Sequence, residues 1–335
     1  VDAAPRGARI KGLGHHLPDR VVTNHDLAEL LDTTDAWIVQ RTGIEERRWV
    51  TGDVGASELA EPAARAAMDR AGITADQLDL IVFATLSPDV YFPGSACLLQ
   101  ARLGCPGVAA LDVRNQCTGF VYGLAVADHF IRSGMMSRVL VVGAEVHSTG
   151  LDMSPAGRDV TVLFGDGAGA AVVEATEGPE RVLGHRLHAD GQHAELLWVP
   201  APQSRTMPRI DQQMLDAGLH YPHMQGRAVF KHAVERLPEV VLGVLEDHGL
   251  GLDDLDLLVP HQANLRINEL AGRRLGLPEH KVVHNIQRYG NTTAGSIPIA
   301  LSEAVADGRV KPGSLVCLAA FGAGLTWGAS LMRWA

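Results

Sequence analysis

The chain has 335 residues, room for two domains or one large α/β unit at roughly 100–200 residues per domain. Hydrophobic residues at 46% and charged residues at 20% exclude a disordered or fibrous chain, and aromatics at only 5% leave the core to Leu, Val, Ile and Ala. With 29 Lys+Arg against 39 Asp+Glu, the net charge of −10 excludes a general nucleic-acid binder, although a local basic patch for an acidic partner remains open.

The start, Val1-Asp2-Ala3-Ala4-Pro5-Arg6, has no apolar run of the kind a signal peptide needs. The four cysteines, Cys97, Cys105, Cys117 and Cys317, are too sparse for a disulfide scaffold and form no CxxC pair. They read as reduced thiols of a cytoplasmic protein, which turns the question to whether one of them is reactive. A charge-free run from Ser314 to Met332 has about the length of a membrane span, but Gly322, Gly324 and Gly328 interrupt it. Two buried strands joined by a glycine-rich turn fit it better, so no membrane segment is expected.

An internal repeat organises the chain. Residues 72–82 and 249–259 share Gly, Asp, Leu, Asp, Leu and Val at an offset of 177: Gly72/Gly249, Asp76/Asp253, Leu78/Leu255, Asp79/Asp256, Leu80/Leu257 and Val82/Val259. Farther on, Ala101–Gly104 resembles Arg273–Gly276. The helix ending at Gly134 and the strand after it resemble the helix ending at Gly308 and its strand, with drifting loop lengths. A period of half the chain predicts two related α/β halves, divided as residues 1–178 and 179–335. The apolar runs Asp79–Thr85, Arg138–Gly143 and Asp256–Pro260 do not alternate, which marks strands covered on both faces. Chemistry in such sheets gathers beyond the strand ends.

Cys117 falls between a short strand, Ala110–Val113, and a helix with Phe120, Leu124, Ala127 and Ile131 on one face. A helix N-terminus favours a thiolate there, whereas Cys97, Cys105 and Cys317 read as core. His261 closes the strand Leu257–Pro260, and Asn291 opens another strand-to-helix junction, where an N-cap is the plainer reading. Phe321-Gly-Ala-Gly324 can bring backbone N–H groups to an oxyanion. Gly165-Asp-Gly-Ala-Gly-Ala170 mimics a nucleotide fingerprint but leads into a strand, so a structural turn is the better reading. His15-His16 has no second ligand pair and reads as a loop, with no metal expected. The segment His185–His223, rich in His, Pro and Gln, reads as a variable cap.

These motifs together resemble the β-ketoacyl-acyl carrier protein synthase III branch of the thiolase superfamily, from about Ile10 to Trp334. The resemblance is carried by Asp35–Arg47, the Cys117 junction, Phe164–Ala170, His261–Ile267, Gly290-Asn-Thr292 and Phe321–Gly328. It implies a thiolase-like duplicated α/β fold layered αβαβα, and a Cys117–His261–Asn291 triad. Degradative thiolases differ by a second cysteine in the C-terminal glycine turn, elongating ketosynthases by Cys-His-His, hydroxymethylglutaryl-CoA synthases by a glutamate base, and chalcone-type synthases by their glycine loop.

The implied chemistry is a ping-pong Claisen condensation in fatty acid or polyketide-type biosynthesis. Cys117 takes an acyl group from acyl-CoA, and malonyl-acyl carrier protein then loses CO2 and attacks it. The backbone N–H groups of Cys117 and Ala323 would hold the oxyanion. Thr33, Trp37, Arg41, Arg158, Gly226 and Asn264 would bind CoA, with adenine between Trp37 and Arg158. Leu163, Phe230 and Phe321 would shape the channel, and Phe92 would cross a homodimer interface to floor the partner's acyl pocket. Lys231, Arg266, Arg273 and Arg274 resemble a patch for the acidic carrier protein, with a solvated helix face as the alternative reading of those four. No cofactor is implied beyond the CoA thioester as substrate. The run Arg114-Asn115-Gln116 departs from the small residues usual before the nucleophile, and bears on the acyl pocket. A second reading keeps the triad for acyl transfer to a hydroxyl or amine; a third is a catalytically silent partner subunit.

Overall fold

The computed structural model describes residues 6–179 and 181–335; Val1–Pro5, part of the stretch read above for a leader, lies outside them. Its principal elements in chain order are β1 (Gly7–His16), α1 (Asp35–Thr42), α2 (Ala56–Ala71), β2 (Leu80–Ala84), α3 (Ser95–Leu103), β3 (Ala109–Val113), α4 (Gly119–Arg132), β4 (Arg138–Glu145) and β5 (Gly167–Thr176). The second half supplies β6 (Val182–Ala189), α5 (Gly226–Glu246), β7 (Leu257–Pro260), α6 (Leu265–Arg274), α7 (Ser296–Ala306), β8 (Leu315–Gly322) and β9 (Thr326–Arg333).

The first sheet has the order β1-β5-β4-β2-β3, with β3, β2 and β4 parallel and β5 and β1 antiparallel. The second has the order β7-β8-β9-β6, again with the first pair parallel and the rest antiparallel. The counterpart of β3 is reduced to one parallel bridge, Leu258 to Val282. The register preserves the repeat: Leu80 sits beside Val139, and Leu257 beside Val316, both pairs related by the sequence offset of 177. The first sheet draws on residues up to Thr176 and the second begins at Val182, so the proposed division at 178/179 falls between them.

The buried runs explain the layering. β2 and β4 are buried along nearly their whole length because both faces are covered. α4 and α7 lie between the sheets, where Phe120, Leu124 and Ile131 meet Ile297, Leu301 and residues of both sheets in one apolar cluster. α2 and α3 cover the outer face of the first sheet, and α5 and α6 that of the second. The result is the αβαβα order of layers. Among the described residues no helix is long and apolar enough to cross a membrane, and the charge-free run is divided between β8 and β9.

Three expectations are corrected. His15 and His16 end strand β1 rather than occupying a loop, with His15 Nδ1 2.9 Å from Ser302 Oγ. Cys97 is exposed on α3, unlike the buried Cys105 and Cys317, because it faces away from the sheet that the helix covers. Residues 185–189 belong to β6, paired with β9, so the cap begins only after Ala189.

Candidate active site

The site is built at the two places where a strand of each half turns into a helix of the central layer. In the first half, Gln116–Thr118 form a tight helical turn leading into α4, and Gln116 has φ of 44°. In the second, Thr293–Gly295 form the same turn into α7, and Thr293 has φ of 46°. The positions are 177 apart, and positive φ is costly for residues other than glycine, above all for a β-branched one. The chain therefore carries two equivalent elbows, with Cys117 on one and Ala294 at the matching place on the other.

Cys117 is buried, and Thr118 beside it anchors the turn across the halves through a 2.8 Å contact with Thr326 Oγ1. Burial pushes the thiol up to about 12; the N–H groups of Ala323 and of Cys117 itself hydrogen-bond the sulfur and oppose that shift, while the Glu145 charge adds to it. Burial therefore opposes the thiolate that the helix N-terminus is expected to favour. Gly322, at the end of β8, passes so close that a Cβ there would lie 2.7 Å from Sγ. That contact explains why the glycine turn tolerates Ala323 but needs Gly322.

His261 lies at the end of β7 with Nδ1 2.6 Å from Ser296 Oγ, and Nε2 is buried without a partner among the described residues. Burial pushes its pKa down to about 3, so the ring is neutral. Asn291 is fixed through its backbone, which donates to the Leu163 carbonyl at 2.8 Å, and through Oδ1, which accepts the Thr293 N–H at 2.9 Å. With Oδ1 committed, the amide has its NH2 left to donate.

Cys117, His261, Asn291 and Ala323 all line one cavity of about 1070 Å³. Trp37, Arg41, Gly226, Asn264, Leu163, Phe230, Phe321 and Arg266 line it too. Other expected site residues stand apart. Arg158 and Arg41 each stack on Trp37, with the guanidinium carbon 4.6 Å from the ring centre. That spacing leaves no room for a base between Trp37 and Arg158, which needs about 7 Å, twice a stacking distance. Thr33 and Arg158 are outside the lining, as are Lys231, Arg273 and Arg274. Arg273 faces Glu269 at 3.7 Å, and Arg274 donates to the Val234 carbonyl at 2.7 Å, tying α6 to α5. Phe92 stands 79% exposed on the loop before α3, away from the cavity of its own chain.

Several residues went unread in the sequence. His147 and Thr293 line the cavity and meet through His147 Nε2 and Thr293 Oγ1 at 2.8 Å. Ser296 orients His261, and Glu145 sits beneath the elbows, taking hydrogen bonds from Thr85, Leu86 and Ser87. The offset of 177 would have pointed to Thr293 as the partner of Gln116 and to Glu145 as the partner of Gly322, but not to the burial of Glu145 beneath the elbows. Among the described residues one cluster, Asp128, His129 and His185, has metal-ligand geometry, but Asp128 already takes both bonds from Arg132, and none of the three lines the cavity.

Layered fold, buried cysteine and converging N–H groups together define a thiolase-fold acyltransferase. Family models for 3-oxoacyl-[acyl-carrier-protein] synthase III and for its C-terminal part match residues 111–191 and 245–334. A β-ketoacyl-[acyl-carrier-protein] synthase III of Erythrobacter litoralis is 48% identical over 98% of this chain and 99% of its own. The crystal structure of the Aquifex aeolicus synthase III superposes with a TM-score of 0.90 at 44% identity, covering 98% of this chain and all of that one. The priming β-ketosynthase of the R1128 polyketide pathway reaches 0.90 at 32% identity, over all of this chain and 98% of its own. The chain belongs to the β-ketoacyl-acyl carrier protein synthase III family.

Proposed function

We propose that the chain performs the decarboxylative condensation of an acyl-CoA primer with malonyl-acyl carrier protein through an acyl-Cys117 thioester, in fatty acid biosynthesis. The observation that carries this reading is that Cys117, Asn291, Ala323 and His261, whose Nε2 is buried without a partner among the described residues, line one cavity.

In the first step the thiol attacks the thioester carbonyl. His261 Nε2 takes the thiol proton and returns it to the departing CoA sulfur, so one S–acyl bond forms as another breaks. Ser296 supports this because its hydroxyl can accept from Nδ1–H or donate to Nδ1, sustaining either ring tautomer. In the second step the malonyl carboxylate leaves as CO2, and its electron pair becomes an enolate. Once CoA has left, the neutral ring exchanges its proton through solvent to the Nε2–H tautomer, with Ser296 donating to Nδ1, and Nε2–H of His261 and the NH2 of Asn291 hydrogen-bond that enolate oxygen. The enolate carbon attacks the acyl-Cys117 carbonyl, and the oxyanion rests on the two N–H groups, each worth about 3–4 kcal/mol in such sites. The C–S bond then breaks, the Cys117 thiolate leaves, and it takes from solvent the one proton that the overall reaction consumes. Nothing in this sequence needs a cofactor beyond the CoA thioester.

For the partners, we read Arg41 and Trp37 as the CoA end of the cavity, with Arg158 swinging off Trp37 to admit adenine. Arg266, within 5.8 Å of the Phe230 ring, and exposed Lys231 are read as the carrier-protein side. The exposed edge strand β3 and the loop bearing Val90, Tyr91 and Phe92 support a homodimer, and the unpaired thiols suit a cytoplasmic setting.

The test is incubation with acyl-CoA and malonyl-acyl carrier protein, read by intact mass. One acyl adduct per chain, absent in Cys117→Ala, followed by a β-ketoacyl-carrier product and CO2, is expected. An ester or amide alone would favour the hydroxyl or amine acceptor, and no adduct from any acyl-CoA would overturn the catalytic reading.

A further inference from the structure

The wall of the cavity nearest the first sheet is made by the residues that follow its three parallel strands. Taken across the sheet they are Val146 and His147 after β4, the latter with Nε2 2.8 Å from Thr293 Oγ1, Leu86 and Ser87 after β2, and Arg114 and Gln116 after β3. Val146 and Leu86 are apolar, and the Ser87 hydroxyl is committed to Glu145 at 2.6 Å. Arg114 and Gln116 are different. Neither the guanidinium nor the side-chain amide has a hydrogen-bond or ion-pair partner among the described residues, and both face the cavity that holds Cys117. The acid two places before Arg114 is not available to it. Asp112 accepts the N–H groups of Ser95 and Ala96, both at 2.8 Å, at the N-terminus of α3. Arg114 is exposed and Gln116 half-buried, so a cation and an amide line the cavity of the nucleophile with their donors open to a ligand.

We propose that the primer is a dicarboxylic half-thioester, an acyl-CoA whose far end carries a free carboxylate, held by Arg114 with Gln116 as a second donor. A planar guanidinium pairs with a carboxylate through two parallel hydrogen bonds, which selects that end group over a methyl. The transfer itself is unchanged: Cys117 takes the acyl group, CoA leaves as the thiol, and the carboxylate is a spectator. This inference rests on the acyl-Cys117 reading above and adds the class of primer.

The experiment is the rate of Cys117 acylation by succinyl-CoA and by butyryl-CoA, four-carbon acyl groups that differ at the far end, on the full-length protein by intact mass. The wild type is expected to favour succinyl-CoA at least tenfold. Arg114→Ala should lower the succinyl-to-butyryl ratio at least tenfold, and Gln116→Ala should lower it severalfold; a ratio is insensitive to partial loss of folded protein. Equal or faster acylation by butyryl-CoA in the wild type overturns the proposal while leaving the condensing reading intact. So does an Arg114→Ala variant that slows both primers alike and changes its elution volume, since Arg114 would then serve a subunit contact. Acylation by neither overturns the proposal, and the condensing reading falls with it only if acetyl-, branched and longer acyl-CoAs also give no adduct.

Discussion

At the level of single residues, the site depends on what has been removed as much as on what is present. Gly322 ends β8 directly against Cys117, where a Cβ would approach the cysteine Cβ to 2.4 Å and its sulfur to 2.7 Å. Gly322→Ala must therefore move the thiol or the strand. A shift of about 1 Å at a reacting atom is worth about 10²-fold in rate. We expect acylation of Gly322→Ala to slow by about that factor while near-UV and far-UV circular dichroism stay close to the wild type. Unchanged acylation would mean that the sulfur position is not set by this contact. Cys117, His261 and Asn291 were legible because each terminates an apolar run or opens a helix, so that pattern and residue type agree. The upward push of burial on the thiol was not legible, because burial is a property of all five layers and not of the helix alone.

At the level of elements, the two elbows explain what the repeat left undecided. Their turns, their strained residues and their helices match at one offset, yet what stands beside each differs. Gly322 ends β8 next to Cys117, while its counterpart Glu145 ends β4 next to Ala294. The second elbow is thus filled by a carboxyl that gathers donors from the loop after β2 and faces the Ala294 N–H at 3.5 Å. Burial pushes Glu145 up to about 7, against those hydrogen bonds. The folded state then holds a proton that the unfolded chain releases above its ordinary value of 4.5. Stability from this group is complete below that value and is lost as pH rises toward 7. Glu145→Gln lacks this dependence. The buried histidines His147 and His261, both pushed down to about 3, act in the opposite sense: they cost stability as pH falls from 6.5, and they do so equally in both proteins. The difference in urea unfolding free energy between Glu145→Gln and wild type should therefore move in favour of the variant by up to about 3 kcal/mol from pH 4.5 to 7.5. A flat difference would place the proton elsewhere. The sequence offset already implied two like halves, and the strand runs named most of the sheet. The short loop strands of the cap and the place of Glu145 were not legible, since they follow from contacts between segments far apart in the chain.

At the level of the whole molecule, the first sheet is unfinished. β3 pairs with β2 on one side and, among the described residues, with nothing on the other, while Leu111 on it is 39% exposed. The loop that precedes α3 adds Tyr91 at 60% and Phe92 at 79% exposure. An open strand edge beside exposed aromatics is unstable toward association, and most closed assemblies of identical chains are twofold. Two copies meeting edge to edge about a twofold axis would extend the sheet across the interface and bury both loops. In that arrangement Phe92 leaves solvent for the partner, and Arg114, which directly follows β3, becomes more enclosed. A lysine at position 111 would bring like charges together across the axis and charge the edge. Leu111→Lys is accordingly expected to sediment as a monomer where the wild type sediments as a dimer, and to lose most acylation activity because the acyl pocket is left without its floor. A wild type that is monomeric at micromolar concentration would remove the dimer from the account. A variant that stays dimeric would move the interface to another face. A monomeric variant with full activity would show that each chain completes its own acyl pocket, with Phe92 playing no part in it.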